Sequence, residues 1–260
     1  MRVAFFPDAR SLLLAFCLMI YAIPAAAIDS AVAQRTPDPL FDEEFDALGG
    51  GGLVTDPLET INRVTFFLNE GVDLLLWNPL SRVYRFAVPR PARSGIRRVF
   101  LNLTSPSILI NKILQLRFRG AAQVFGRFVL NSTAGWGGIF DPARTVGWER
   151  QSADFGETLA MAGIPTGPYL VLPFFGPSSI RDGVGTIVDQ FFQPTLYFLG
   201  PMPHIFLGTG FGFTLREEHA DKLRLLKESS IDYYSVIRSA YWQDREAVIR
   251  QSLAGEADGD

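Results

Sequence analysis

Residues 162–185 read AGIPTGPYLVLPFFGPSSIRDGVG, a segment as apolar as a membrane span yet interrupted by Pro165, Pro168, Pro173, Pro177 and repeated glycines. Each interior proline removes a helix hydrogen bond at a cost of about 3 kcal/mol, and no run here reaches the ~20 unbroken apolar residues that a span needs. The segment is therefore not a continuous transmembrane helix. In lipid, backbone outside a helix or closed barrel is tolerated only where it packs on protein or lines a cavity. Two readings follow: a buried core loop, or the wall of a lipid-accessible hole.

Outward from this segment the chain reads as helical. Asp56-Pro57-Leu58-Glu59 supplies an N-cap, a proline at the first helical position and a glutamate placed for a capping box. Ile61, Val64, Phe67, Leu68, Val72 and Leu75 then recur at helical spacing, and Asn78-Pro79 is expected to end the helix. Ser105-Pro106 is a second cap, and an apolar-faced helix is expected over 120–131. Thr214-Leu215-Arg216-Glu217 reads as a capping box opening a charged helix through Lys227, and a final helix is expected from Ser229 or Ser230. Its stripe is Ile231, Tyr234, Ile237, Tyr241, Trp242, Val248 and Ile249. No series of alternating strands with hairpin turns is apparent. The expected fold is all-α: one compact helical domain over 56–250, without a sheet.

Phenylalanine occurs 22 times, in adjacent pairs at Phe66-Phe67, Phe174-Phe175 and Phe191-Phe192. That is more aromatic surface than a soluble domain of this length ordinarily hides, so either a large core or contact with lipid or protein must absorb it. Charge is segregated. From Leu74 to Phe140 there is no Asp or Glu, while Arg82, Arg85, Arg90, Arg93, Arg97, Arg98, Lys112, Arg117, Arg119 and Arg127 all fall inside. Such a stretch either matches phosphates and carboxylates of a partner or pairs with acids from its flanks. Nucleic acid is not expected as a partner of an exported chain with net charge −3.

At the N-terminus Arg2 and Arg10 precede the apolar run Leu12 to Ile23 and the small residues Ala25, Ala26 and Ala27. This reads as an export signal over 1–27, with an alternative cleavage after Ala33. Cys17 is the only cysteine, so an intrachain disulfide or a cysteine metal cluster is excluded. It is a candidate lipid-attachment site in a poor context, because such sites need a small preceding residue and Phe16 is bulky. Residues 28–55, acidic and then glycine-rich, read as a flexible tether, and 251–260 as an acidic tail.

Enzyme chemistry is not apparent. There is no G-x-S-x-G elbow, Walker loop or H-E-x-x-H motif, and His204 and His219 lack ligand-like spacing. No metal and no cofactor is expected. Gly208-Thr209-Gly210-Phe211-Gly212 reads as a hinge or turn rather than a dinucleotide loop, since no strand precedes it. Asp154 and Glu157, three apart, have the spacing of an acid pair but also that of a solvated helix face.

The motifs taken in order, DPLETINR at 56–63, NLTSPSILINKILQ at 102–115, RFVLNSTAGWGGIFD at 127–141, DFGETL at 154–159, GPYLVLPFFGPSSIRD at 167–182 and SAYW at 239–242, resemble the MlaA/VacJ family of outer-membrane phospholipid-transport proteins. The resemblance implies a non-enzymatic, ring-like helical body in the outer membrane of a Gram-negative bacterium. It implies a porin trimer as partner and an amphipathic channel for phospholipid. Mislocalised outer-leaflet phospholipid would pass through that channel to a periplasmic lipid-carrier protein, maintaining lipid asymmetry. A porin-associated scaffold that moves no lipid, and an outer-membrane phospholipase, are the alternatives. If cleavage follows Ala27, Cys17 is discarded and retention falls to the apolar helices and the porin.

On this reading the helices carrying Phe66, Phe67 and Leu74 to Trp77 seat the body in the bilayer. Tyr169, Phe174, Phe175, Arg181 and Asp182 are the candidate channel residues, Arg181 and Asp182 serving a polar headgroup route that hydrocarbon alone would make costly. A structural salt bridge is the competing role for that pair. Gly183 and Gly185 are the candidate gating hinge.

Overall fold

The computed structural model describes residues 56–257. The signal peptide, its cleavage sites, Cys17, the tether and positions 258–260 lie outside the described residues.

Helix α1 (Glu59–Val72) forms where its motif predicts but starts two residues later and without a capping box: Leu58 and not Asp56 holds the cap position, Pro57 lies before the helix, Asp56 accepts from the Leu58 N–H, and Glu59 turns forward to Arg63 at 2.7 Å. Asn78-Pro79 does not end the helical run. A π-helical turn, Asp73–Trp77, carries it directly into α2 (Asn78–Ala87). The wider turn immediately before Pro79 relieves the clash between a proline ring and the carbonyl one turn back. Helices α3 (Arg90–Leu103), α4 (Ser105–Leu114) and α5 (Phe118–Thr133) follow, α5 covering the expected 120–131, and then the short α6 (Pro142–Thr145) and α7 (Phe155–Met161). Beyond the hairpin described next come α8 (Ile180–Phe191), α9 (Pro194–Leu199), α10 (Pro201–Ser229) and α11 (Tyr233–Ala257). The last helix thus continues past position 250, and Ser252 is buried against Glu157 at 2.5 Å.

The expectation of a sheetless fold is overturned. β1 (Tyr169–Leu172) and β2 (Gly176–Ser179) form an antiparallel hairpin, with Tyr169 opposite Ser179 and Leu172 opposite Gly176. The physical cause lies in the prolines that made the segment look irregular. Pro168 and Pro173 bracket four residues whose side chains alternate, Tyr169 and Val171 buried, Leu170 and Leu172 half-buried. The chain reverses through Phe174 at φ +67° and Gly176 at φ +81°.

Two further expectations change. The glycine-rich stretch 208–212 is no hinge, since α10 runs unbroken through it. Its small residues admit Phe100: a Cβ on Gly210 would lie 3.2 Å from that ring, and Phe100 and Phe211 stack at 5.8 Å. Thr214 and Glu217 sit mid-helix, Thr214 bonding back to the Phe211 carbonyl at 2.8 Å. The last helix opens at Tyr233, leaving Ile231 in an exposed turn.

Arg85, Arg93 and Arg127 of the cationic stretch pair with acids from outside it. Glu217 takes Arg85 at 2.8 Å and Arg93 at 2.5 Å, and Asp141 takes Arg127 at 2.9 Å. Among the described residues no helix is long and apolar enough to cross a membrane. A buried hydrophobic cluster of Tyr169, Val171, Tyr234 and Tyr241, with Phe66 and Trp242 packed against it, forms where α1, the hairpin and α11 meet.

Candidate functional site

The hairpin is fastened to α1 by two asparagines. Asn62 brackets β1, its Nδ2 donating to the Tyr169 carbonyl at 3.0 Å and its Oδ1 accepting the Val171 N–H at 2.8 Å. Asn69 repeats the bracket at the turn, donating to the Leu172 carbonyl at 3.0 Å and accepting the Phe174 N–H at 2.5 Å. The spacing explains the match. Seven helical residues rise about 10.5 Å, and three strand residues span about 10 Å. One face of α1 therefore substitutes for a third strand and satisfies an edge that would otherwise stand open. Asp56 ties the same corner to α11, accepting from Asn62 at 2.9 Å and from the Tyr234 hydroxyl, with Arg238 at 3.5 Å.

At its other end the hairpin runs into a charged knot. Ser179 caps α8, its Oγ accepting the Asp182 N–H at 3.2 Å. Asp182 receives Arg181 Nε at 3.1 Å, Arg245 Nε at 2.9 Å and the Tyr241 hydroxyl at 2.6 Å. Arg245 also grips Asp154 with two N–H groups at 2.7 Å. Asp154 in turn caps α7, accepting the Glu157 N–H at 2.7 Å, so this acid pair is a helix start and not a catalytic couple. Burial works against the charge on Asp154, but its side chain keeps 44% exposure and the Arg245 fork prevails, holding the carboxyl below the usual carboxylate range. Burial, together with Asp154 nearby, pushes Glu157 up. Tyr241 is likewise pushed up, by burial first and by Asp182 second.

The sequence-predicted residues thus divide. Arg181 and Asp182 lie together inside the knot, Arg181 buried and reaching the Ile164 carbonyl. Tyr169 is wholly buried, its ring 5.7 Å from that of Tyr241. The phenylalanine pair splits at the turn, Phe175 buried and Phe174 exposed. Gly183 and Gly185 are both helical. A Cβ on Gly185 would meet the Gly156 backbone nitrogen at 2.3 Å, whereas one on Gly183 would make only ordinary contacts at 3.7 Å or more. Gly185 thus brings α8 close to α7 in the knot. Sequence reasoning missed Asn62, Asn69 and Arg245, and it weighed Asp154 only as half of an acid pair. The available signal was two asparagines seven apart in an otherwise apolar-patterned helix.

The outer side of α1 and α2 is the second half of the site. The periodic stripe faces outward apart from the half-buried Val72: Ile61, Val64, Phe67, Leu68 and Leu75 are exposed, and Val83 and Phe86 extend the surface along α2, with Phe67 at 76%, Leu75 at 80% and Phe86 at 94%. The inward positions are Asn62, Phe66 and Asn69. Of the residues expected to seat the body in lipid, Phe67 and Leu74 to Leu76 are exposed, Phe66 packs on Tyr233 and Tyr234 at 5.5 Å, and Trp77 is buried against Phe213.

The family model described as MlaA lipoprotein matches residues 54–248. The intermembrane phospholipid transport system lipoprotein MlaA of Escherichia coli K12 is 34% identical over 198 residues, covering 75% of this chain and 78% of the relative. The protein of the same name from Haemophilus influenzae is 30% identical over 194 residues, covering 73% and 77%. A solved structure described as "Structural basis for maintenance of bacterial outer membrane lipid asymmetry" superposes with a TM-score of 0.65 at 32% identity, covering 75% of this chain and 99% of that one.

Proposed function

The chain belongs to the MlaA lipoprotein family, and from that premise we propose that it carries phospholipid along an amphipathic path bounded by the β1–β2 hairpin. It is a component of an intermembrane phospholipid transport system that maintains outer-membrane lipid asymmetry, and it is not an enzyme. It works at the outer membrane, on the periplasmic side.

The observation that carries the reading is the inverted α1: Asn62 and Asn69 turn inward on the hairpin, with Phe66 as the one ring packed on the core cluster, while Ile61, Val64, Phe67 and Leu68 face outward. A helix in water turns its apolar stripe to the core. Here the core side is bonded through asparagines, and the apolar side suits hydrocarbon or the apolar flank of a membrane protein. Lipid tails would follow the outward apolar surface and the exposed Phe174 at the turn. The headgroup would follow the polar side, where Arg181 and Asp182 lie. Removal of outer-leaflet phospholipid then needs no covalent step, only a path and a sink. We assign the sink to a periplasmic lipid-carrier protein and the surrounding support to an outer-membrane porin trimer.

The test is the phospholipid content of the outer leaflet in intact cells, read with a membrane-impermeant amine label. Deleting the gene is expected to raise the signal and restoring it to lower it. Restoring it as Phe174→Asp, which puts a charge at the half-exposed turn, should leave the signal high while the protein accumulates at the parent level. No rise on deletion despite normal expression in the parent would overturn the transport assignment.

A further inference from the structure

Away from the knot, where α1 meets the turn between α10 and α11, a groove of about 270 Å³ opens. Its charges come in two pairs of opposite sign. Arg63 holds Asp232 at 2.7 Å and, through Nε, Glu59 outside the groove lining at 2.7 Å, and Lys227 holds Glu70. Aromatic rings stand between the pairs: Phe66 packs edge-on to Tyr233 and Tyr234 at 5.5 Å, Arg63 lies 4.4 Å over the Tyr234 ring, and Lys227 5.8 Å over that of Tyr233. The lip is apolar. Phe67 and Ile231 line the opening and are both largely exposed, and Phe67 continues into the Ile61, Val64 and Leu68 surface of α1.

We propose that this groove binds the headgroup of a zwitterionic phospholipid, the phosphate engaging Arg63 and Lys227 and the ammonium engaging Glu70, Asp232 and the face of an aromatic ring. Three features select this ligand class. The volume is below the range that holds a drug-sized molecule, so it suits a headgroup and leaves acyl chains to lie on the adjoining apolar face. The four charges sum to zero, so a purely anionic headgroup meets two carboxylates as well as two cations, whereas a zwitterion complements both signs. The Tyr233 and Tyr234 faces already hold cations, Lys227 on the one and Arg63 with Arg238 on the other, and a phosphate that draws Arg63 or Lys227 away leaves such a face to an ammonium group. The Arg63–Asp232 pair lies at the surface, where such pairs contribute little to stability, and Lys227 is more than half exposed over a half-buried Glu70, so both cations can exchange partners. The inference rests on the phospholipid reading above and gives it a headgroup class and an entry point distinct from the knot.

The test uses the purified full chain titrated with dihexanoyl-phosphatidylethanolamine, dihexanoyl-phosphatidylglycerol and tail-free glycerophosphoethanolamine, followed calorimetrically. The ethanolamine lipid should bind about tenfold more tightly than the glycerol lipid, and the tail-free compound more weakly than either. The double variant Glu70→Lys with Lys227→Glu keeps an ion pair while exchanging its ends, and should lose about tenfold in affinity with its melting temperature unchanged. Lys227→Met, at a side chain more than half exposed, is the second variant and should weaken binding in the same direction. Equal affinity for the two lipids, or unchanged affinity in both variants, overturns the groove proposal. The same variants returned to deleted cells separate the two claims. Surface phospholipid that rises on deletion and is fully cleared by the variants leaves transport standing and removes the groove; no rise on deletion removes transport itself.

Discussion

The two faces of α1 are made from the same fourteen residues and follow opposite rules. On the hairpin side, backbone and side-chain polar groups meet defined partners, from Asn62 and Asn69 through to the Arg245 knot. On the other side Ile61, Val64, Phe67 and Leu68 have no such enclosure and are more than half exposed. The difference separates what the chain can satisfy alone from what its surroundings must supply. Polar bonds are completed internally because hydrocarbon offers none. Apolar surface is left outward because hydrocarbon or an apolar partner accepts it without the cost that water imposes. Folding stability should therefore depend on the polar side, and placement in the cell on the apolar side.

The strongest way to break that division is to remove Arg245. Asp182 and Arg245 are both nearly buried, so Arg245→Met leaves Asp182 with Arg181 and the Tyr241 hydroxyl alone and takes the fork from Asp154, and should cost about 3 kcal/mol, the low end for a broken buried pair, read as loss of protease resistance or of accumulation. Acid probes the same knot more gently. Asp154 titrates below its ordinary 3.8 in the folded chain, so the stability it adds is present above that value and is lost as pH falls through the lower folded pKa. Asp154→Asn should flatten this acid limb of the melting curve. Next in size is Asn62→Ala, which leaves the Val171 N–H and the Tyr169 carbonyl buried without that partner, about 2–4 kcal/mol. Asn69→Ala, at the more exposed turn, should cost only about 1 kcal/mol. Gly185→Ala drives a methyl into the Gly156 backbone and should cost about 1–3 kcal/mol, while Gly183→Ala should be close to neutral. If Gly183 and Gly185 respond equally, the close crossing of α7 and α8 is not what Gly185 is for.

The sequence was most legible where its signal was local and long. The periodicity of α1, of 120–131 and of Tyr234, Ile237 and Tyr241 located real helices. It was least legible where tertiary partners override local signals. Pro79 reads as a stop, and a π turn absorbs it; Gly208 to Gly212 read as a hinge, and Phe100 fills the space they leave. The hairpin has only four residues per strand, too few for alternation to stand out between prolines, and its stabilising edge belongs to a helix a hundred residues earlier. Arg181 and Asp182 were visible as polar residues beside an apolar segment. Their partner Arg245 was not, because no spacing rule links positions 63 residues apart. Periodicity also finds a stripe without saying which way it faces, and for α1 the answer was outward.

That last ambiguity sets the smallest expected stability effect and the sharpest use of the comparison. Phe86 is 94% exposed on α2, so its ring gains almost nothing from the folded chain. Phe86→Ser should shift unfolding by no more than about 0.5 kcal/mol in detergent, as surface substitutions do. In membranes the outcome should differ, because the ring's apolar area, at about 25 cal/mol per Å², then counts toward lipid or a partner surface. The variant, alone and combined with Phe67→Ser, should melt like the parent yet be released from the outer-membrane fraction at a lower urea or carbonate concentration. A destabilised variant would mean that the stripe is core after all. A variant equal to the parent in both assays would mean that the outward face of α1 and α2 contributes nothing to seating, and that retention rests on the remaining exposed apolar residues, such as Phe191, Phe198 and Phe206.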